Sequence, residues 1–310
     1  MPLADIPVVY VLGAPRSGTT WLQLMLGSHS EIATPIELDF FSSFVAPWYE
    51  SWSVQCEAAE GRPGRPYWGL PAALTEEEFE ETVGLVVERV YRAVLAAKPR
   101  ATVMLEKDPR YWQHVAAIRR AVPHAKFVHV LRDGRDVACS MVRVSSSWGG
   151  EWAPGRVAGG AELWQECVRG ALTAADAPGG YLEVRYEDLL SESGPDVVRG
   201  ALAFCGVAGD RPLAESLYER YSYPGRTKHE VLSGGLTWAG EAVRAGADVS
   251  FPDDFIGQAA AGRWKSEFDA DDRRAFDAVA GDLLIELGYE ADHSWAGGPA
   301  AAWSPIPTRG

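Results

Sequence analysis

A loop between Gly13 and Gly18 carries the residue types that bind an oxyanion. It follows an apolar run at 8–12, and the segment after it has the pattern of an amphipathic helix. Backbone N–H groups in such a loop point inward, and the helix N-terminus adds partial positive charge. Side chains in and just after the loop add a guanidinium fork and hydroxyl donors: Arg16, Ser17, Thr19 and Thr20. The stretch therefore predicts an anion site, and the alternative is a tight turn before an ordinary helix.

The two glycines have the spacing of a nucleoside-triphosphate loop, but the cation is displaced. Such a loop reads G-x-x-x-x-G, followed by Lys and then Ser or Thr. Here Thr19 follows Gly18, and the cation is Arg16 within the loop. We also find no apolar strand ending in an Asp that plainly serves as a magnesium ligand. These departures weaken a kinase or ATPase interpretation.

A second apolar run, at 127–131, ends in a cluster of charges. Arg132 follows this predicted strand directly, and Ser140 lies about two turns into the helical pattern that comes next. Ligands of open α/β folds bind at the carboxyl edge of the sheet. We therefore expect Arg132 and Ser140 to bind a second anionic group, with ion pairing alone as the alternative. For Arg135 and Asp136 we expect surface ion pairs.

The segment PRSGTTWL resembles the 5′-phosphosulfate loop of sulfotransferases that use 3′-phosphoadenosine 5′-phosphosulfate. The resemblance implies that the 5′ group is held by Arg16, Ser17, Gly18, Thr19, Thr20 and Trp21. Arg132 and Ser140 match the family's Arg and Ser that bind the 3′-phosphate, at the family's spacing. Family members also carry a similar Tyr-Glu-Asp-Leu, which places Tyr186 near the adenine. A buried Tyr that caps the core is the alternative for Tyr186.

A basic segment near the C-terminal end, Gly262-Arg263-Trp264-Lys265, also matches this family. The resemblance makes it a lid over the 3′-phosphate, with Arg263 and Lys265 as donors and Trp264 among the cofactor-binding residues. The alternative is a solvated basic turn with Trp264 in the core.

The catalytic base differs from that of the cytosolic small-molecule sulfotransferases. Those enzymes use a His two residues beyond a Lys on an internal strand. Lys107 matches the Lys, but the base position holds Pro109, which cannot accept a proton. The segment Glu37-Leu38-Asp39-Phe40-Phe41 resembles the Glu-x-x-Phe-Phe of heparan-type carbohydrate sulfotransferases, in which the Glu is the base. The spacing from Arg16 to Glu37 and the Lys-Asp-Pro at 107–109 also resemble the tyrosylprotein sulfotransferases.

These resemblances imply that Glu37 is the general base and that Lys107 and Arg16 stabilise the leaving oxygen, without a metal. The alternative for Glu37 is an exposed loop carboxylate. For Lys107 it is an ion pair with Glu106 or Asp108. Asp39 and Asp108 are the other candidate bases.

The alternation of strand and helix patterns predicts an α/β fold. Strands are expected at about 7–13, 102–107, 126–131 and 181–186, and helices at 75–97, 110–122 and 162–176. This order predicts a three-layer architecture, a mainly parallel sheet flanked by helices. The resemblance makes it the P-loop NTPase-like sulfotransferase fold.

Two irregular regions interrupt the predicted single domain at 1–290. An aromatic-rich insertion at about 44–72 either grips the acceptor or packs into a small cap core. A glycine-rich segment at about 222–262 is a candidate lid. Residues 291–310 are expected to be a C-terminal tail, loose or draped over the surface.

Composition limits the partners and the compartment. The net charge of −14 in 310 residues argues against nucleic acid and disfavours a polyanionic acceptor. No run of about 18 apolar residues predicts a membrane span. The first residues lack a signal peptide, and the four cysteines are scattered, so we expect a cytoplasmic protein with reduced thiols. Abundant Ala, Gly and Arg suggest a bacterial source.

The expected activity is sulfuryl transfer from 3′-phosphoadenosine 5′-phosphosulfate to a hydroxyl of a small-molecule, glycolipid or carbohydrate acceptor, leaving adenosine 3′,5′-bisphosphate. Two alternatives stay open. One is a nucleotide-dependent kinase of the same fold group, which would turn over ATP with magnesium. The other is a non-catalytic nucleotide-binding protein. The sequence indicates neither the acceptor nor the oligomeric state.

Overall fold

Five parallel strands form the central sheet. The computed structural model describes residues 5–60, 69–221, 236–237 and 260–297. The strands are β1 (Val8–Leu12), β2 (Ile32–Ala33), β3 (Val103–Lys107), β4 (Lys126–Leu131) and β5 (Tyr181–Arg185), in the sheet order β2-β3-β1-β4-β5. Because every pairing is parallel, the carboxyl ends of the strands meet at one edge, where ligands bind in open α/β sheets.

Helices connect the strands and cover both faces of the sheet. They are α1 (Thr19–Gly27), α2 (Ala46–Glu60), α3 (Glu76–Ala96), α4 (Val115–Ala121), α5 (Gly134–Ser145), α6 (Val157–Leu172), α7 (Tyr186–Leu190), α8 (Gly194–Cys205), α9 (Arg211–Tyr221), α10 (Trp264–Glu267) and α11 (Ala270–Glu286). Shorter turns are the π-helical segment Phe41–Val45 and the 3₁₀ turns Leu70–Ala72, Tyr111–Gln113 and His293–Ala296.

The three central strands, β3, β1 and β4, are mostly apolar because both faces of the sheet are buried there. In β1, Tyr10 and Leu12 pack in one core with α3 and α4, whereas Val9 and Val11 pack in a second core with α1, α8 and α9. This alternation is the period of two expected of a strand. A third core, formed mainly by α5, α6 and α11, lies beyond the end of β4. The predicted three-layer α/β fold is confirmed.

The four predicted strands are present, with ends that shift by one residue at most. The predicted helix at 75–97 is α3, and its predicted N-cap Thr75 forms a capping box with Glu78. The sequence does not predict the fifth strand, β2, because a segment of two residues is too short to show a hydrophobic periodicity.

The described part of the predicted insertion at 44–72 is mostly α2. Tyr49 and Trp52 are buried, and the Trp52 ring stacks on Phe79 of α3 with centroids 4.3 Å apart. Trp48 is exposed on the same helix. The cap-core alternative therefore applies to Tyr49 and Trp52.

Most of the predicted lid at 222–262 lies outside the described residues, as do Tyr67 and Trp68. Of the predicted tail at 291–310, the structure describes 291–297. There the ring of Trp295 lies 6.2 Å from that of Phe276 on α11, so this part packs against the third core.

Candidate active site

The loop between β1 and α1 turns through three residues with positive φ. Gly13, Arg16 and Gly18 have φ angles of 149°, 72° and 100°. The N–H of Ser17 donates to the Ala14 carbonyl at 3.0 Å and closes the turn. In the part of the chain that the structure describes, no side chain caps the N-terminus of α1, so the first-turn N–H groups keep their capacity to bind an anion.

Position 18 requires glycine for a steric reason and for a conformational one. A Cβ at this position would lie 2.5 Å from the Tyr186 ring, and its φ is in the left-handed region. A Cβ at Gly13 would lie 2.6 Å from the carbonyl oxygen of Val130 on β4. Both glycines let the loop lie directly against neighbouring strand ends.

Arg16 connects the loop to the second predicted anion site. Its Nε donates to the hydroxyl of Ser140 on α5 at 3.0 Å. Its guanidinium also lies 5.4 Å from the centroid of the Trp148 ring. The two predicted anion sites are therefore contiguous, because the cation of the first contacts a residue of the second.

Arg132, directly after β4, is 7% exposed and is held from several sides. It donates to the carbonyl oxygens of Arg16 at 2.8 Å and Ala260 at 2.9 Å. Its guanidinium lies 4.2 Å from the centroid of the Tyr186 ring, within range of a cation–π contact. These contacts fix the guanidinium at the carboxyl edge of the sheet.

Two buried polar atoms of this region have no hydrogen-bond partner within the described ranges. They are the hydroxyl oxygen of Ser17 and Nε of Arg132. An unsatisfied buried polar atom is costly, so each such atom needs an explanation. A bound nucleotide with phosphate groups at both ends of its ribose would supply the missing acceptors, and the donor set therefore fits this cofactor.

Tyr186 is buried as the first residue of α7 and joins the loop to Arg132. Trp21 packs edge-to-face on it with centroids 5.8 Å apart and donates from its indole N–H to the Tyr221 carbonyl at 2.9 Å. Trp21 thus supports the position of Tyr186. Desolvation by burial raises the pKa of Tyr186, so its hydroxyl stays protonated at neutral pH.

The 260–265 segment is held against α5. Both oxygens of Asp136 accept backbone N–H groups, from Gly262 at 2.6 Å and Trp264 at 3.1 Å. Trp264 is buried in the third core, which is the alternative the sequence left open for it. Arg263 pairs with Glu267 at 2.9 Å, and Lys265 is exposed. Lid roles for Arg263 and Lys265 stay predictions.

The expectation of surface ion pairs at Arg135 and Asp136 was wrong. Both residues are only 2% exposed. Arg135 pairs with Asp133 at 2.8 Å and with Glu290, and its guanidinium lies 3.7 Å from the Trp264 ring centroid. The pattern of adjacent charges does not reveal these contacts with Trp264 and Glu290, which are distant in the sequence.

Glu37 and Lys107 form an ion pair at the carboxyl edge of the sheet. Lys107 is the last residue of β3 and is 2% exposed, whereas the Glu37 side chain, after β2, is 37% exposed. Lys107 thus pairs with the predicted base rather than with Glu106 or Asp108. The partly exposed carboxylate remains accessible from the cleft that both residues line.

Arg110 forms a second set of ion pairs close in sequence to the first. Arg110 pairs with Asp39 and also with Asp108, the latter at 3.4 Å. Asp39 has a φ of 51°, which is rare for a non-glycine residue. The two pairs connect the segment after β2 to the segment after β3, which fixes where Glu37 lies.

The loop and the Glu37–Lys107 pair open into one cleft of about 460 Å³. Its charged and hydroxyl lining comes from Arg16, Thr19, Thr20, Glu37, Lys107 and Arg110. Its apolar walls include Trp112, Trp148, Trp152 and Leu163. The sequence offers the aromatics at 44–72 as candidates for this role. Those that the structure describes do not line the cleft.

Glu106 is a further charged residue that the sequence reasoning mentioned only as an alternative partner of Lys107. It is fully buried and accepts hydrogen bonds from the hydroxyls of Tyr91 and Tyr111. Desolvation by burial raises its pKa from 4.5 to about 7. The available signal was a glutamate that directly follows the apolar residues Val103–Leu105 within a strand.

The described ranges contain no helix long and apolar enough to cross a membrane. In the same part of the chain, no group of three or more His, Cys, Asp and Glu side chains is arranged to hold a metal ion.

Comparison with known proteins gives one family. Residues 7–211 match the family model described as "Sulfotransferase family". A Caenorhabditis briggsae protein, provisionally named a protein-tyrosine sulfotransferase, is 24% identical over 287 residues, which cover 93% of this chain and 90% of that protein. The nodulation protein NoeE of Sinorhizobium fredii is 26% identical over 314 residues, which cover 93% of this chain and 67% of NoeE.

A solved structure shares the fold. The mouse sulfotransferase SULT7A1, crystallised with PAP, aligns with a TM-score of 0.55 at 13% identity, covering 92% of this chain and 86% of that one. This likeness shows a common architecture and by itself assigns no residue a role.

Proposed function

The chain belongs to the sulfotransferase family, and from the geometry of its cleft we propose that it transfers the sulfuryl group of 3′-phosphoadenosine 5′-phosphosulfate to an acceptor hydroxyl. One observation carries this proposal. The anion loop, through Arg16, Thr19 and Thr20, and the Glu37–Lys107 pair line the same cleft. A donor held by the loop would thus present its transferable group to a base and a buried cation.

The nucleotide site has two parts. The loop N–H groups, Ser17 and the α1 N-terminus would hold the 5′ phosphosulfate, and Arg132 and Ser140 would hold the 3′-phosphate. The Ser17 hydroxyl and Arg132 Nε support this assignment, since neither has a partner among the residues that the structure describes and the nucleotide would provide one. That a sulfotransferase of the same fold was crystallised with PAP is consistent with it.

Three residues of the chain then have separate roles in the transfer of the sulfuryl group. The bound donor supplies an activated sulfuryl group with a phosphate as leaving group. The carboxylate of Glu37 takes the proton of the acceptor hydroxyl as the oxygen forms its bond to sulfur, a contribution of roughly 10²–10⁴-fold. Lys107 and Arg16 stabilise the negative charge that collects on the bridging oxygen as its bond to sulfur breaks. Their cationic groups do this work without a metal ion.

The walls of the cleft favour an acceptor with a flat apolar face. Trp148 and Trp152, with ring centroids 5.6 Å apart, stand beside Arg16, and Trp112 lines the cleft near Lys107. Indole rings pack on aromatic rings and on the apolar faces of sugars, so both hydroxylated aromatic molecules and glycans suit this wall. The net charge of −14 disfavours a polyanionic glycan. A cytoplasmic location and a bacterial source stay predictions from the sequence.

Calorimetric titration tests the nucleotide assignment. We expect adenosine 3′,5′-bisphosphate to bind without added metal and ATP with magnesium to bind far more weakly. The reverse order, with ATP turnover, would support the kinase alternative and contradict the proposal.

A transfer assay tests catalysis. Radiolabelled donor is incubated with a panel of hydroxyl compounds that includes 2-naphthol and neutral oligosaccharides, and labelled products are counted. Transfer to any member supports the enzyme assignment. Tight bisphosphate binding with no transfer to any member, and no loss of sulfate from the donor, would favour the non-catalytic nucleotide-binding alternative.

A further inference from the structure

Glu106 lies next to Lys107 on β3 but points to the opposite face of the strand. It is fully buried, and its two carboxylate oxygens accept hydrogen bonds from different tyrosines: Oε1 from Tyr111 and Oε2 from Tyr91. The Tyr91 hydroxyl is also bonded to that of Tyr10 at 2.6 Å. The carboxylate is therefore the centre of a buried network of three tyrosines.

A buried carboxylate without a cation is unfavourable. None of the described hydrogen-bond partners of Glu106 is a Lys, Arg or His. Desolvation raises its pKa to about 7, while the Tyr111 and Tyr91 hydrogen bonds and the nearby Asp108 charge act in opposite directions. An apolar side chain of similar size would fill such a position at lower cost, so a carboxylate here requires a reason other than packing.

The two tyrosines that bond Glu106 belong to different parts of the molecule. Tyr91 lies on α3, which packs on the sheet in the first core. Tyr111 lies in the 3₁₀ turn that follows β3, and its N–H donates to the Asp108 carbonyl at 3.2 Å. Its chain neighbours Arg110 and Trp112 line the cleft, as do Pro109 and Gln113. The turn at 109–113 is thus a wall of the cleft.

We propose that Glu106 is a positioning residue that fixes the cleft wall at 109–113 by accepting the hydrogen bond of the Tyr111 hydroxyl. This proposal rests on the proposed function, because it requires that the wall faces the acceptor. The other two hydroxyls of the network belong to Tyr91 on α3 and Tyr10 on β1. The groups facing Glu106 are these three hydroxyls and the charge of Asp108.

The network offers a matched pair of variants. Tyr111→Phe and Tyr91→Phe each remove one buried hydroxyl that donates to the same carboxylate. Of the two tyrosines, Tyr111 lies within the segment 109–113 whose neighbouring residues line the cleft, whereas Tyr91 lies on α3. A purely structural role for the network predicts that the two variants behave alike, whereas a positioning role predicts that they differ at 109–113.

Hydrogen exchange followed by mass spectrometry on the full chain measures this difference. In Tyr111→Phe and in Glu106→Gln we expect the protection of amides in 109–113 to fall about tenfold. In Tyr91→Phe it should stay within about twofold of the parent protein. Equal loss in the two tyrosine variants, or no loss in either, would overturn the proposal.

Kinetics with 2-naphthol as the acceptor and saturating donor give a second readout. Tyr111→Phe should raise the KM for 2-naphthol about tenfold with kcat changed less than threefold, and Tyr91→Phe should change neither. A fall in kcat without a change in KM would contradict positioning of the wall. If the parent protein does not sulfate 2-naphthol, the exchange measurement alone decides.

The failure of this proposal is distinguishable from that of the proposed function. Titration of the parent protein with adenosine 3′,5′-bisphosphate tests the nucleotide site and involves neither tyrosine. A parent that binds the bisphosphate, with tyrosine variants that behave alike, refutes the role of Glu106 and leaves the proposed function standing.

Discussion

The proposed nucleotide half and the proposed acceptor half of the site are built differently. The nucleotide half consists of segments that directly follow strands: the loop after β1, Arg132 after β4 and Tyr186 after β5. Much of it is main chain, with a helix N-terminus and three residues of positive φ. The acceptor half consists of side chains from segments that are far apart in the sequence: Glu37, the turn at 109–113, and Trp148 with Trp152.

The difference teaches which sites a sequence reveals. A main-chain anion site needs a fixed order of residue types over a few positions, so its motif is visible in one stretch. A side-chain cleft needs only that certain groups meet in space. The predictions below test whether the two halves are as separable in function as they are in construction.

The largest effect is expected at Glu37. Glu37→Gln should lower the turnover of sulfuryl transfer by roughly 10²–10⁴-fold, because the amide cannot take the acceptor proton. Bisphosphate affinity, which belongs to the other half, should change by less than about 0.5 kcal/mol. Steady-state kinetics and calorimetry measure the two. Glu57→Gln, an exposed carboxylate on α2, is the control. Unchanged turnover would remove Glu37 from the mechanism.

Replacement of Arg132 should reduce the affinity for the bisphosphate, which replacement of Glu37 should leave nearly unchanged. Arg132→Ala should weaken adenosine 3′,5′-bisphosphate by about 2–4 kcal/mol, the scale of a lost buried charge-assisted contact. Titration calorimetry measures this loss. Arg169→Ala, an exposed arginine paired with Glu286 on the surface, should bind like the parent protein. Equal affinity in the Arg132 variant would mean that the 3′-phosphate ligand is misassigned.

The pH dependence of stability should report on the buried network of the acceptor half. The folded-state pKa of Glu106 is raised to about 7 from 4.5, so the folded protein holds this proton more tightly than the unfolded chain. Its stabilising contribution is complete below pH 4.5 and is lost as the pH rises to about 7. Relative to Glu106→Gln, the parent protein should thus lose on the order of 2–3 kcal/mol across this window.

Urea unfolding at several pH values measures this difference. Glu57→Gln should keep the pH dependence of the parent protein, because its side chain is exposed. Parallel stability curves for the parent protein and Glu106→Gln would show that Glu106 does not titrate in this range.

The smallest effect concerns the main chain of the nucleotide half. Gly18→Ala should lower the free energy of unfolding by about 1–2 kcal/mol, because alanine disfavours the left-handed conformation and its Cβ would meet the Tyr186 ring. Gly200→Ala is the matched control. The position is within α8, and apart from the local helix backbone no atom of the described residues lies within 4 Å of a Cβ there. It should gain about 0.5–1 kcal/mol. A loss at both positions would contradict a special role for Gly18.

The features that could be predicted from the sequence follow the same division between main-chain and side-chain sites. The loop at 13–20 and the strand before Arg132 were predictable from local patterns, and so was the capping box at Thr75. The burial of Arg135 and Asp136 was not, because it depends on contacts with Trp264 and Glu290, more than a hundred residues later. The tryptophan wall was also missed, since the aromatics at 44–72 looked equally suitable in the sequence.

By itself, the sequence determined the strand–loop–helix unit, the parallel sheet and the position of Arg132 at its edge. These features arise from hydrophobic periodicity and glycine conformation, which act over a few neighbouring residues. Only the tertiary structure decided that Lys107 pairs with Glu37, 70 residues away, and that Tyr111 bonds the buried Glu106. Such contacts depend on how the helices and turns pack around the sheet, and no local pattern specifies that packing.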